Sequence, residues 1–116
     1  MKVLICGSRN WSNHESIERF LQDLSVETTI IHGGCRGADS IAGDIATSLG
    51  MSVVVFHANW ANEGRAAGPK RNKRMLEEGA PDLVVAFHES INSSRGTKDM
   101  INKAKNAGIE TKVITE

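Results

Sequence analysis

The chain has 116 residues, 40% hydrophobic and 24% charged, a size and balance that suit one globular domain with a modest core and leave little for a second. Its 14 basic residues offset 14 acidic ones, so no global field draws it to nucleic acid or an anionic membrane, and any charge effect is local. No stretch nears the roughly 20 apolar residues of a membrane span, and the start MKVLICGSR has too short an apolar run for a signal sequence.

Cys6 and Cys35 lack metal-ligand spacing, which points to reduced thiols and a cytoplasmic setting. Neither a metal nor a cofactor is expected.

Read in order, strand and helix patterns alternate. Lys2 to Cys6 is a buried-strand pattern, followed by the turn Gly7, Ser8, Arg9, Asn10. Ser12 and Glu15 have capping-box spacing, which predicts a helix from near Ser12 with Ile17, Phe20, Leu21 and Leu24 as its apolar stripe. Thr28 to His32 is a second strand. After the glycines Gly33, Gly34 and Gly37, the apolar residues Ala38, Ile41, Ala42, Ile45, Ala46 and Leu49 recur at helical spacing, and Gly50 supplies a stop. Met51 to His57 is a valine-rich third strand, and Ala58 to Gly68 reads as a loop.

Pro69 suits the first turn of a third helix that ends at Gly79. Asp82 to His88 is a fourth strand. A fourth helix spans about Thr97 to Ala107, turning Met100, Ile101 and Ala104 inward and closing at Gly108, before a last strand from Thr111 to Thr115. Five strands joined through helices of crossover length predict a doubly wound α/β sheet, parallel and covered by helices on both faces.

In such sheets ligands bind beyond the carboxyl ends of the strands, so the loops there hold the candidate site. The first offers Gly7, Ser8 and Arg9. The second offers Gly33, Gly34, Arg36 and Gly37, a glycine turn at a helix start that favours a phosphate, with Asp39 in the first helical turn as ribose acceptor or base. The third carries Trp60 as a stacking surface and a local basic run from Arg65 to Arg74, in which Arg65, Gly68, Lys70, Arg71 and Asn72 are candidates for phosphate contacts. Gly96 and Thr97 open the next helix, with a hydroxyl beside it. His32, His57 and His88 end strands on the same edge as Cys6, but nothing accompanies them at ligand spacing, and no metal is assigned there.

The segments HGGCRGADSIAGDIA, FHANWANEGRAAGPKRNKRML, DLVVAFHE and GTKDMINKAKNAGI, in this order, resemble the YspA, cpYpsA-related family of the SLOG superfamily over nearly the whole chain. The resemblance implies one Rossmann-like domain over residues 1–116 that binds nucleotides or nucleotide-derived ligands. Relatives in that superfamily include the LOG phosphoribohydrolases and the DNA-processing protein DprA, and they often pair, which implies a homodimer. Gly33, Gly34 and Gly37 resemble the superfamily's first glycine loop, and Gly96 with Thr97 the GT of its PGGxGTxxE motif. The chain departs from that motif: no Pro-Gly-Gly precedes Gly96, and Met100 stands where the glutamate falls. That glutamate is implicated in N-glycosidic cleavage by LOG enzymes, so the resemblance does not carry their hydrolysis over.

The function expected is binding of a nucleotide or nucleotide-derived small molecule through the two glycine loops and the basic segment. One alternative is a hydrolase of nucleoside phosphates or nucleotide derivatives with Asp39 as catalytic carboxylate. Single-stranded nucleic-acid binding is a further alternative, suggested by Trp60 and the basic run and opposed by the zero net charge and few aromatic residues.

Overall fold

The apolar run within Lys2–Gly7 forms β1, the central strand of a five-stranded sheet in a computed structural model that describes residues 1–116. Val3, Leu4 and Ile5 have no exposure at all, as a strand covered on both faces requires. The remaining strands are β2 (Thr29–His32), β3 (Ser52–Val55), β4 (Leu83–Phe87) and β5 (Glu110–Ile114), in the order β3-β2-β1-β4-β5. Every pairing is parallel; Val3 lies opposite Ile30 on one side and Leu83 on the other.

Parallel neighbours need crossovers, and helices supply them. α1 (His14–Gln22) and α2 (Ala38–Ser48) lie on one face of the sheet. The short α3 (Trp60–Glu63) and a 3-10 turn lead into α4 (Ala67–Glu77), which shares the opposite face with α5 (Arg95–Asn106). The alternation of β1 divides the core accordingly. Val3 and Ile5 pack with Ile17, Leu21 and Ile41, whereas Leu4 and Cys6 pack with Met75, Met100 and Ile101. The fold is a Rossmann-like, doubly wound α/β sheet.

The chain runs from β1 outward to β2 and β3, then jumps across to β4 and β5. The loops after β1 and β4 therefore leave toward opposite faces, and a crevice opens between the two strand ends. No helix is long and apolar enough to cross a membrane.

Several boundaries differ from the sequence reading. α1 is capped by Asn13, not Ser12: Asn13 Oδ1 accepts from the Ser16 amide at 3.2 Å, and buried Trp11 donates through Nε1 to the Asn13 carbonyl, which sets where the helix can begin. The stretch 58–68, expected as loop, holds α3, capped by Asn59, and the start of α4 two residues before Pro69. Ser94, not Thr97, caps α5, its Oγ accepting from the Thr97 amide at 3.1 Å. α4 ends at Glu77, and Ala80 rather than Gly79 takes the left-handed turn; a side chain at Gly79 would run into the Met75 carbonyl.

Phe87 at the end of β4 is fully buried, with the rings of Trp11 and Phe20 meeting it edge-on at centroid distances of 5.7 and 6.0 Å. Phe87→Ala is expected to cost about 3–5 kcal/mol, seen as a lower urea midpoint at unchanged slope. A loss below about 1 kcal/mol would contradict this packing.

Candidate functional site

Backbone bonds draw the strand ends together before any side chain is considered. Ser8 donates its amide to the Phe87 carbonyl at 2.9 Å, fixing the exit of β1 against β4. Its own carbonyl accepts from Trp11 at 3.3 Å and from Ala38, the first residue of α2, at 3.1 Å. The loops after β1 and β2 thus touch, and Gly37 is what lets them: its φ of 79° is left-handed, and a Cβ there would strike the Ser8 carbonyl.

Asp39 sits in the first turn of α2, 6% exposed. Its Oδ2 accepts from the amides of Gly33 at 2.9 Å and Cys35 at 3.3 Å, closing the glycine loop onto the helix. Oδ1 has no partner in the protein. Burial pushes the carboxyl up to about 6; the two amides and the charges of Arg71 and Arg9 pull against that rise without cancelling it.

Arg71, on α4, is 8% exposed. Nη1 donates to the Gly33 carbonyl at 2.8 Å, and Nε to Asn72 Oδ1 at 3.1 Å. Gly33 suits this approach, since a Cβ would lie 2.7 Å from Nη1 and displace the guanidinium. Arg71 takes part in no ion pair: those of the chain join Lys70 to Glu63, Lys73 to Glu77 and Lys103 to Asp99. Nη2 has no protein partner. Asn72 extends the network to α5, donating to Asp99 Oδ2 at 3.0 Å and to the Gly96 carbonyl at 3.3 Å. Asp99 is consumed by Asn72 and Lys103 and does not line the cleft.

A cleft of about 240 Å³ lies over the carboxyl ends of β1 and β4. Of the residues singled out from sequence, it brings together Gly7, Ser8, Arg9, Asp39, Arg71, Asn72, Gly96 and Thr97. A second, more open cleft of about 460 Å³ adjoins it, sharing Arg9, Cys35 and Arg71 and adding Gly33, Gly34, Arg36 and Trp60. Arg65, Gly68 and Lys70 line neither; Lys70 reaches Glu63 at 3.4 Å, and Gly68 lies beneath the Trp60 ring. Gly37 acts as the spacer between loops.

The first cleft also contains residues outside that set. Met100 forms part of its wall, so α5 presents a thioether where the related motif has a carboxylate. His88 accepts the Ser90 amide at Nδ1, 2.9 Å, which places the proton of the neutral ring on Nε2. Ser94 enters as the α5 cap. Cys6 lies at the floor, where burial above all, and then the charge of Asp39, push its thiol up and leave it a poor nucleophile; Cys35 is half-buried in the wall shared by both clefts. No three His, Cys, Asp or Glu side chains are grouped to hold a metal ion. The His88 position was visible as a strand-end histidine, and Cys35 lies within the glycine loop already placed at this edge; the Met75 contribution depends on the turn of α4 over the sheet, which no local pattern records.

The sequence matches the model of the YspA, cpYpsA-related SLOG family over residues 1–62, from β1 to α3. It is also 35% identical over 117 residues to the Gene 61 protein of Mycobacterium phage D29, covering 93% of this chain and 91% of that protein. The chain belongs to the YspA, cpYpsA-related SLOG family. Among solved structures, the DNA processing protein A (DprA) of Streptococcus pneumoniae superposes with a TM-score of 0.81 at 22% identity, over 97% of this chain. This SLOG chain spans about half of that protein, 49% of its length, and the likeness is one of fold.

Because the folded-state value of Asp39 stands above the ordinary 3.8, the unfolded chain releases this proton first as pH rises. Asp39 therefore removes stability between about pH 4 and 6, by roughly 3 kcal/mol at most, and nothing further above that window. Asp39→Asn keeps an oxygen able to accept from Gly33 and Cys35. The wild-type-minus-variant difference in unfolding free energy is expected to fall through that window in urea titrations, and a difference independent of pH would contradict the assignment.

Proposed function

We propose that this chain binds a nucleotide or nucleotide-derived small molecule in the cleft over β1 and β4, with a phosphate on Arg71 and Arg9. The observation that carries the reading is the largely buried guanidinium of Arg71 in the cleft wall, which has no carboxylate partner and whose Nη2 is accessible and unbonded. Desolvating a cation costs several kcal/mol, and a buried charge without a carboxylate partner is the arrangement that an incoming anion relieves. The planar fork of arginine also matches two phosphate oxygens at once.

The neighbouring groups fit the rest of such a ligand. Arg9 brings a second cation from the loop after β1, and Ser94, Gly96 and Thr97 surround the start of the 12-residue α5, whose N-terminal dipole favours the same charge. The free Oδ1 of Asp39 accepts a ribose hydroxyl. Membership of the SLOG family supports a nucleotide-related role at this coarse level. The structural neighbour is named for DNA processing, which supports single-stranded nucleic acid as a competing ligand. Against it stand the zero net charge and one exposed tryptophan, since a strand-tracking groove needs several basic and aromatic contacts.

Thermal shift and calorimetry with AMP, ADP and ATP test the reading, because a ligand of the native state adds about 2.7 kcal/mol at a hundredfold excess over Kd. Arg71→Lys, which loses the fork but keeps the charge, and Arg9→Ala, at an exposed position, are each expected to weaken binding by about tenfold or more. Circular dichroism checks that each variant is folded. No response to any nucleotide, or unchanged affinity in both folded variants, overturns it.

A second reading, hydrolysis of the bound nucleotide, is favoured by the unpartnered Asp39 Oδ1, the carboxylate of a cleft that also holds His88. As a base, Asp39 would take a proton from water attacking the glycosidic carbon or a phosphorus, the leaving base or phosphate being protonated in turn. Chromatography of incubated nucleotides is then expected to show a free base or phosphate, with Asp39→Asn abolishing turnover while binding persists. Intact ligand throughout removes this reading and leaves binding alone.

A further inference from the structure

The cleft over β1 and β4, at about 240 Å³, is smaller than the roughly 300–1,000 Å³ of pockets that enclose a small-molecule ligand. It is open on one side. Arg9, Cys35 and Arg71 are among its lining residues, and the same three line the adjoining 460 Å³ cleft. The two cations thus border both spaces.

The second cleft is furnished differently from the first. Trp60 lines it with half its surface exposed, in a helix that has no buried residue, whereas Trp11 is packed in the core. Core packing therefore does not explain Trp60. Its ring lies over Gly68 of α4, close enough that a Cβ there would sit 3.2 Å from the ring edge. Arg36, also lining this cleft, is exposed and makes no ion pair. A solvent-facing indole beside three guanidinium groups is a surface for a planar ring carrying phosphate.

Resting on the binding reading above, we infer that the second cleft is a subsite for the far half of the same ligand. That half is a second planar ring stacked on Trp60, joined to the nucleoside of the first cleft through a diphosphate lying across Arg71 and Arg9, with Arg36 on its outer side. The ligand class is a diphosphate-linked dinucleotide. A mononucleotide fills only the first cleft and leaves Trp60 in water.

Calorimetric titration with ADP and with diadenosine diphosphate separates the possibilities, together with tryptophan emission, in which Trp60 is the solvent-facing reporter. The dinucleotide is expected to bind at least about tenfold more tightly than ADP, as one added stacking contact provides, and to quench the emission. Trp60→Ala is expected to bring the ratio of the two dissociation constants close to one, and Trp60→Phe to restore most of it. Equal affinities in the wild type, or a ratio unmoved by Trp60→Ala, overturn the subsite while the phosphate-binding reading stands. Binding of neither compound overturns both.

Discussion

Arg71 reaches from the second turn of α4 to the carbonyl of Gly33 at 2.8 Å, and that bond joins the helix on one face of the sheet to the loop feeding the helix on the other. Through Nε the same side chain holds Asn72, which in turn holds Asp99 and the Gly96 carbonyl at the start of α5. Three segments far apart in sequence are thus positioned by one guanidinium. The glycine at position 33 follows from it, because a side chain there would displace the arginine.

Charge is what makes this arrangement more than a structural tie. A hydrogen-bonded amide could hold the same loops at less desolvation cost, whereas a buried cation is tolerated only with compensation. Here the compensation is partial: Asp39 lies close enough to be influenced by Arg71 but makes no ion pair with it, and burial keeps the carboxyl near 6. Both groups keep a free polar atom at the cleft. On the binding reading proposed above, a cation and a carboxylate held apart, each already anchored by backbone bonds, would meet a ligand that offers a phosphate to one and a hydroxyl to the other without reorganising.

The doubly wound sheet was legible because its causes are local: uninterrupted apolar strands, helical stripes such as Ile17, Phe20, Leu21 and Leu24, and stops at Gly50 and Gly108. The edge on which the candidate residues gather followed from topology alone. Other features were hidden for physical reasons. The Arg65 to Arg74 run offered Arg65, Lys70 and Arg71 alike as phosphate contacts, yet Arg71 is buried and Lys70 is exposed beside Glu63; the difference arises from a contact 38 residues away that periodicity cannot register. Asn13 displaced Ser12 as cap because tertiary contacts, such as the Trp11 bond to Asn13, decide which of adjacent capping residues is used. The stretch 58–68 lacks an apolar stripe because α3 has no buried residue, and a helix with no buried face leaves no hydrophobic signature.

The most direct test of the account is the Arg71 Nε–Hε resonance in nitrogen-15 spectra, assigned by its loss in Arg71→Lys and followed during titration with ADP. The account predicts a saturable shift of that resonance together with the amides of Ser8, Arg9 and Gly96. Saturation that moves amides elsewhere and leaves Arg71 in place, or spectra unchanged at millimolar nucleotide, would contradict the central role given to its unpaired charge.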